Sequence, residues 1–247
     1  LNRSSDMTLS SCIVGLLLLG GTTETFHVVH FVNDLSISFK IDGMSMVFAG
    51  LVAVLWPLAT LYAFEYMSHE THEKTFFMFY TMTYGVTLGI AFSSDILSMY
   101  FFYELLTLVT VPLVMHSLTR EAILAVRKYL YFSLGGAAFA LMSMIFIMVY
   151  GYTCEFHLGG VFSYRDIRQH GDLLLWIYFF SFMGFGVKAA LWPMSSWLPQ
   201  AGVAPTPVTA LLHAVAVVNA GAFAIMRLTY YSFGMDFLRG TWVQDAV

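Results

Sequence analysis

The chain consists mainly of long apolar segments separated by short polar stretches. Hydrophobic residues make up 59% of its 247 residues and charged residues only 11%, against about 25% charged residues in a typical soluble domain. A membrane-spanning helix needs about 20 mostly apolar residues. The segments that meet this requirement or approach it cover residues 44–64, 75–92, 95–118, 122–150, 173–192 and 205–230, with a shorter one at 9–21. The sequence therefore predicts an all-α integral membrane protein with about six or seven transmembrane helices.

Residues 26–41 follow a different pattern. From Leu35 to Ile41 an apolar residue occupies every second position, with serine or lysine between. This period of two is typical of a β-strand, and Asn33-Asp34 before it is a turn signal. We predict a short extra-membrane β-hairpin, which either contacts a neighbouring subunit or covers a loop.

Two isolated charges lie deep inside the apolar segments. Glu104 lies within the segment at 95–118, and Lys188 lies within the segment at 173–192. A charge at bilayer depth costs roughly 2.5–3.5 kcal/mol, so such residues usually face the bundle interior, pair, and mark an ion or proton path. We therefore predict that Glu104 and Lys188 face a common interior. The alternatives are a fixed salt bridge for the lysine and a backbone hydrogen bond for the carboxyl group.

Burial gives a lysine a chemistry that a solvated lysine lacks. Desolvation disfavours the charged form of an amine, so a buried lysine can exchange protons near neutral pH. A carboxylate close to the amine has the opposite effect. A Glu104–Lys188 pair whose separation changes would therefore act as a proton switch.

The helix that carries Lys188 is predicted to break near it. Gly184 and Gly186 loosen the helix before the lysine, and Pro193 removes a backbone donor after it. Broken helices at mid-membrane are a feature of transporters, because their freed backbone groups can serve an ion or water.

Further polar residues are candidates for the same interior. His213 can relay protons, since histidine titrates near neutrality, although a lone buried histidine is more often a packing residue. Asn219 and Thr209 are candidates to hold water. Lys128 near a helix start is a supporting relay candidate, or else its side chain reaches the headgroups.

Composition excludes several other functions. The net charge of −4 comes from no charged run, so no nucleic-acid surface is indicated. Cys12 and Cys154 have neither CxxC nor His/Cys spacing, which predicts no metal site and no disulfide framework. The loops leave no room for a nucleotide or flavin, and no glycine-rich phosphate loop precedes a helix. We expect this chain to bind no metal and no cofactor.

Four segments carry a resemblance to a known family. Residues 192–201 read WPMSSWLPQA and residues 204–214 read APTPVTALLHA. Residues 101–105 (FFYEL) and 41–45 (IDGMS) match the glutamate helix and the start of an early helix of that family. The pattern resembles the antiporter-like subunits of respiratory complex I, Mrp-type cation/proton antiporters and membrane-bound hydrogenases. The LLHA form is most similar to the distal complex I subunit and the large Mrp subunit.

The resemblance implies both a fold and a function. Members of the family contain two inverted five-helix units, each with a broken helix. The resemblance also implies that Glu104 is the carboxylate of the pair, Lys188 the central lysine and His213 the next relay residue. We expect a proton-translocating subunit of a redox-driven complex, complex I-like or hydrogenase-like, in a prokaryotic cell membrane. The alternative is an Mrp-type sodium/proton antiporter subunit without redox chemistry. A structural anchor is disfavoured, since its costly buried charges would have no reason to persist.

The same resemblance suggests the partners. We expect other membrane subunits, hydrophilic redox subunits and the lipid bilayer, and no nucleic acid. Iron–sulfur, flavin or nickel–iron centres would belong to the partner subunits. The chain would then serve an oxidoreductase without holding its catalytic centre.

One repeat of the family accounts for most of the chain. We expect a partial N-terminal transmembrane helix at 1–25, the hairpin at 26–41, a transmembrane helix and loop at 42–74, a five-helix proton-channel repeat at 75–231, and the start of a second half at 232–247. Either the chain is a piece of a longer subunit, or a second chain supplies the other repeat. A first residue other than Met favours the former.

Overall fold

A computed structural model describes residues 3–20, 24–32 and 35–247 of the chain, and helices dominate it. The six longest helices are α1 (Arg3–Leu19), α2 (Gly43–Met67), α3 (Glu73–Phe92), α4 (Ile96–Val114), α5 (Arg120–Tyr150) and α6 (Tyr164–Gly186). A 3₁₀ turn (Met194–Ser196) and α7 (Trp197–Ala201) follow α6.

The last span, Thr206–Phe233, is a composite helix. It consists of α8 (Thr206–Ala210), a π-helical segment (Leu211–Val215), α9 (Val217–Met226) and a second π-helical segment (Arg227–Phe233). Two short helices, α10 (Met235–Leu238) and α11 (Trp242–Ala246), come after it. Single π-helical turns inside α-helices are often found at functional sites.

Five of these elements are long and apolar enough to cross a membrane, namely α2, α3, α4, α5 and the span Thr206–Phe233. Helix α6 is a sixth long helix whose first turns carry the charged residues Arg165, Asp166 and Arg168, whereas its second half is apolar. The predicted all-α membrane fold with a broken helix and a small β-hairpin is confirmed.

Side-chain caps define where the long helices begin. At four helix starts an Asp, Ser or Thr side-chain oxygen accepts a hydrogen bond from a backbone N–H in the first turn, which satisfies a donor that the helix leaves free. The capping residues are Asp42 for α2, Asp95 for α4, Thr119 for α5 and Ser163 for α6.

The hairpin consists of β1 (Phe26–Val32) and β2 (Leu35–Phe39), which pair antiparallel. The serine face of β2 packs against the bundle: Ser36 and Ser38 are buried, and Ser38 N–H donates to Ser98 Oγ of α4 at 2.9 Å. The turn predicted at Asn33-Asp34 lies outside the described residues.

Candidate functional site

Glu104 and Lys188 meet inside the bundle, between α4 and the end of α6. Lys188 Nζ lies 3.8 Å from Glu104 Oε1, which is beyond hydrogen-bonding distance. The Lys188 side chain is 1% exposed and that of Glu104 is 23% exposed. Lys188 Nζ donates a hydrogen bond to the backbone carbonyl of Tyr103 and lies 3.4 Å from the centroid of the Tyr103 ring. A small side-chain movement would therefore bring the amine from the carbonyl to the carboxylate.

Lys188 lies within an interruption of its helix. Helix α6 ends at Gly186, and the chain then turns, with Ala190 in the left-handed region at φ 55°. The turn is closed by a hydrogen bond from Leu191 N–H to the Gly186 carbonyl at 3.0 Å. Pro193 precedes the 3₁₀ turn that leads into α7. The lysine is thus attached to a loop-like backbone at the centre of the bundle.

Two buried aromatic side chains satisfy the carbonyl groups that the interruption frees. The Tyr103 hydroxyl donates to the Phe185 carbonyl at 2.7 Å. The Trp197 indole Nε1 donates to the Val187 carbonyl at 2.8 Å. Because an unpaired carbonyl would be costly inside a membrane, these bonds make the broken end of α6 compatible with burial.

Gly136 of α5 and Gly221 of α9 allow the backbones of these two helices to approach the interruption of α6 closely. A methyl group on Gly136 of α5 would lie 2.7 Å from the Gly184 carbonyl of α6, so the two helices touch there without intervening side chains. Gly221 of α9 lies against the backbone of Lys188 and Ala189, and a side chain there would overlap it. Small residues give such close contacts in membrane bundles.

His213 is separate from the pair in this structure. It lies in the π-helical segment Leu211–Val215, and its side chain is exposed. Within the described part of the chain it makes no hydrogen bond or ion pair with Glu104 or Lys188. Its relay role stays a prediction.

Two of the supporting polar residues, Asn219 and Thr209, bond to backbone carbonyl groups close to them in sequence. Asn219 Nδ2 donates to the Ala214 carbonyl at 2.7 Å, where the π-helical turn disturbs the helical ladder. Thr209 Oγ1 donates to the Ala204 carbonyl at 3.2 Å. Lys128 is half-buried on α5. The roles predicted for the three residues in proton transfer remain predictions.

Sequence reasoning missed a cluster of hydroxyl groups between α4 and α5. Thr107 and Thr110 follow Glu104 on α4, and Tyr129 and Ser133 belong to α5. These four residues are at most 3% exposed, and the Tyr129 hydroxyl bonds to Thr110 Oγ1 at 2.9 Å. The three-residue spacing from Glu104 through the threonines, which places them along one helix, was the signal that could have revealed half of the cluster.

A buried arginine was also missed. Arg227 donates to both carboxylate oxygens of Asp42, at 2.5 and 2.8 Å, and to Ser45 Oγ at 2.9 Å. Its side chain is 1% exposed. Three aromatic rings surround the guanidinium at 4.7–5.1 Å, those of Phe156, Phe223 and Tyr231. The pair joins the start of α2 to the last span.

Two carboxylates at helix starts have shifted pKa values of opposite sign. Burial of Asp42 opposes ionisation, but the hydrogen bonds and charge of Arg227, with help from Ser45, outweigh it and hold the pKa below its usual value. Burial raises the pKa of Asp95, although hydrogen bonds from Ser38, Ser98 and Ser94 oppose the rise.

A polar cavity of about 470 Å³ lies beside Asp95, between the hairpin and the loop after α5. His27, His30 and Glu155 are among its lining residues. No group of three or more His, Cys, Asp or Glu side chains in residues 3–20, 24–32 and 35–247 is placed to hold a metal ion.

Comparison with known proteins identifies the family. A family model described as NADH:quinone oxidoreductase/Mrp antiporter, transmembrane, matches residues 93–243, which is more than half of the chain and includes Glu104 and Lys188. The chain belongs to this family. A second model, described as the N-terminus of chain 5 of NADH-ubiquinone oxidoreductase (complex I), matches residues 30–77 of this antiporter-like subunit. The resemblance inferred from the sequence motifs is therefore confirmed.

Individual relatives agree with this assignment. The antiporter-like subunit is 32% identical to a Na⁺/H⁺ antiporter subunit of Alkalihalophilus pseudofirmus over 214 residues, which covers 85% of this chain and 26% of the relative. It is 30% identical to the antiporter subunit mnhA2 of Staphylococcus aureus over 200 residues, covering 79% and 24%. The chain thus spans about a quarter of the length of these relatives. The prediction of an integral membrane protein is confirmed, and both relatives are bacterial.

A solved structure shares the fold of the antiporter-like subunit. It is a chain of the membrane-bound sulfane sulfur reductase, an archaeal respiratory membrane complex, with a TM-score of 0.72 and 22% sequence identity. The match covers 91% of this chain and 46% of that chain.

Proposed function

We propose that this antiporter-like subunit translocates protons through the Glu104–Lys188 pair, as a membrane subunit of a redox-driven multisubunit complex. The observation that carries the proposal is an amine, 1% exposed, held 3.8 Å from a carboxylate at the interruption of its helix. Charges inside membrane proteins are costly and usually belong to ion pathways. The position of Lys188 on loop-like backbone gives the amine the freedom that a change of partner requires.

The chemistry consists of proton exchange only. With the Glu104 carboxylate nearby, the ammonium form of Lys188 is stabilised. When the carboxylate moves away or takes up a proton, an amine in apolar surroundings gives up its proton more readily. The proton then passes to the next acceptor, for which His213 is the predicted residue. Before the transfer, the Tyr103 carbonyl accepts a hydrogen bond from the Lys188 amine.

The source of energy distinguishes two assemblies. The match to a complex I chain 5 segment supports a redox-driven complex, in which hydrophilic subunits hold the iron–sulfur, flavin or nickel–iron centres. The second candidate is an Mrp-type sodium/proton antiporter subunit, and the names of the relatives at 30–32% identity favour it. In either assembly other membrane subunits are the partners of this chain.

Substitution of Lys188 tests the proposal. In membrane vesicles that contain the native complex, Lys188→Ala should abolish proton movement followed with a pH-sensitive dye, because the amine that carries the proton is gone. Lys188→Arg should also fail, because a guanidinium stays protonated. Lys74→Ala, at an exposed lysine of α3, is the matched control and should transport at the wild-type rate with unchanged subunit content. Wild-type transport by Lys188→Arg would mean that the lysine is a fixed charge.

The source of energy for transport is tested in the same vesicles. A redox-driven complex should acidify or alkalinise the lumen upon addition of an electron donor without sodium. An antiporter should instead respond to a sodium gradient without any donor. The subunits that copurify with the chain give an independent answer, since iron–sulfur or nickel–iron proteins belong only to the first assembly.

A further inference from the structure

Three buried polar atoms near the Glu104–Lys188 pair have no hydrogen-bond partner among the described residues. They are Glu104 Oε1, Thr107 Oγ1 and Ser133 Oγ. Thr107 is 2% exposed and Ser133 is 3% exposed. Buried polar groups are nearly always satisfied, and where no protein group does so an ordered water usually does.

The absence of a bond to the backbone of their own helix distinguishes Thr107 and Ser133 from most serines and threonines of the bundle. Serine and threonine in membrane helices ordinarily donate to the carbonyl group four residues earlier. Thr110 does so, with its Oγ1 2.8 Å from the Leu106 carbonyl, and Thr87 and Ser181 do the same. Thr107 and Ser133 make no such backbone bond, so their hydroxyl groups are left to the Tyr129 hydroxyl and to water between the helices.

The cluster forms an ordered series along two antiparallel helices. Thr107 and Thr110 follow Glu104 at intervals of three residues, which is about 4.5 Å of helix per step. The Tyr129 hydroxyl bonds to Thr110 Oγ1 at 2.9 Å, and the hydroxyls of Thr107 and Ser133 are the other side-chain hydrogen-bonding groups around it. Glu104 lies close enough to Tyr129 to interact with it electrostatically. The series therefore begins at Tyr129 and ends at Glu104.

The next layer toward the start of α5 is apolar. Leu113, three residues after Thr110, is 1% exposed, and Val126, three residues before Tyr129, is 5% exposed. These buried apolar side chains lie between the hydroxyl cluster and the start of α5 along the two helices. Such a closure is needed in a proton pathway, because a continuous water column would let the gradient dissipate.

We propose that Thr107, Thr110, Tyr129 and Ser133, with water bound among them, form a proton-conducting branch that supplies Glu104 from the side of the membrane where α5 begins. The inference rests on the proposed function of the Glu104–Lys188 pair. Each hydroxyl or water passes its own proton to the next oxygen and receives one from the previous oxygen, so each oxygen keeps its number of protons. The direction of the hydrogen bonds is reversed by the transfer, and rotation of the hydroxyls and waters restores it before the next proton follows. The final proton is added to Glu104 Oε1.

Removal of single hydroxyls tests the branch in the native complex. Thr107→Val and Tyr129→Phe keep the shape of the side chain and remove its hydroxyl. Positioned proton donors typically contribute about 10²–10⁴-fold to a rate, so we expect each change to slow proton transport at least about tenfold. The matched control for Ser133→Ala is Ser143→Ala, an equally buried and unpartnered serine of α5 that lies about 15 Å further along the helix. It should retain the wild-type rate.

A second readout separates conduction from structural support. After a pH jump, infrared spectroscopy follows protonation of the Glu104 carboxyl group, assigned by its loss in Glu104→Gln. In Thr107→Val and Tyr129→Phe this protonation should be about tenfold slower but reach the same final extent. A changed final extent with an unchanged rate would overturn the branch and leave only a structural role. If a variant fails to assemble, Ser133→Ala provides the test.

The outcomes distinguish this inference from the proposed function. If Lys188→Ala abolishes transport while Thr107→Val, Ser133→Ala and Tyr129→Phe transport and protonate Glu104 at wild-type rates, the branch is wrong and the function stands. If Lys188→Ala transports normally, the proposed function fails, and the branch fails with it.

Discussion

At the scale of single residues, the members of the central pair differ in their surroundings. Lys188 is almost fully enclosed and bonded to a carbonyl group, whereas Glu104 is 23% exposed and its Oε1 has no hydrogen bond in the described residues. The lysine is therefore the enclosed member of the pair, and the carboxylate is the member that is more accessible to water.

This difference predicts unequal effects of substitution. Glu104→Ala should impair transport less completely than Lys188→Ala, because it removes the group that modulates the amine and leaves the amine in place. Glu104→Asp should keep partial transport, since the carboxylate remains but is one methylene farther from Lys188. Dye-based transport measured beside subunit content provides the comparison. Equal and complete loss in Glu104→Ala and Glu104→Asp would contradict the assigned roles.

The site residues that could be predicted from the sequence are the charged residues that lie inside apolar segments. Glu104 and Lys188 were predictable because a charge in an apolar segment has few acceptable positions. The Asp42–Arg227 pair was not, because each residue lies near the end of a segment, where charges are common. The spacing from Glu104 places Thr107 close to it on α4, but it does not show that the hydroxyls of Thr107 and Ser133 leave their own backbone, since most hydroxyls in such helices bond to it. Only the structure shows which ones do not.

At the scale of elements, the contact between α5 and α6 determines how closely the broken end approaches α5. The backbones meet at Gly136 and Gly184, and Val187 packs against the same point. The sequence predicted the interruption from glycine and proline, but it gave no partner for the glycines, because a helical glycine has the same local pattern whether or not another helix touches it.

Adjacent glycines of α5 provide a test of this contact. Gly136→Ala should destabilise the subunit by about 1–3 kcal/mol, because its methyl group would overlap the Gly184 carbonyl and Val187. Gly135→Ala has no atom within 4 Å of the new methyl group, and it should be neutral or stabilise the helix by about 0.5–1 kcal/mol. Unfolding of the purified complex in detergent gives both values. Equal effects of the two changes would show that the close contact is absent.

At the scale of the whole molecule, Asp42 and Arg227 connect the start of α2 to the span Thr206–Phe233. The arginine is enclosed by three aromatic rings and its charge is compensated by one carboxylate. This arrangement fixes α2 against the end of the span Thr206–Phe233, so that the elements between them, including the Glu104–Lys188 pair, are held within a closed bundle.

Loss of the carboxylate should therefore weaken the whole bundle. Asp42→Asn leaves a buried guanidinium without a counter-charge, and we expect the free energy of unfolding to fall by ~3 kcal/mol. Asp245→Asn, at an exposed carboxylate of α11, should change it by less than about 0.5 kcal/mol. An equal, small change in both variants would show that the pair contributes nothing to stability.

The pH dependence of the wild-type protein has a defined sign. Because the folded-state pKa of Asp42 lies below the usual 3.8, the pair contributes fully above that value. Its contribution is lost as the pH falls below 3.8 and through the depressed pKa. Asp42→Asn should lack this part of the acid sensitivity, which unfolding curves between neutral and acidic pH would reveal.

The pairing of Asp42 with Arg227 also has a consequence for the order in which the protein is made. The two residues are 185 positions apart in the chain, and ribosomes add about 5–20 residues per second, so roughly 10–40 seconds separate their synthesis. During that interval Arg227 is not yet present to pair with Asp42. The contact that joins α2 to the span Thr206–Phe233 therefore forms only after that later span has been inserted.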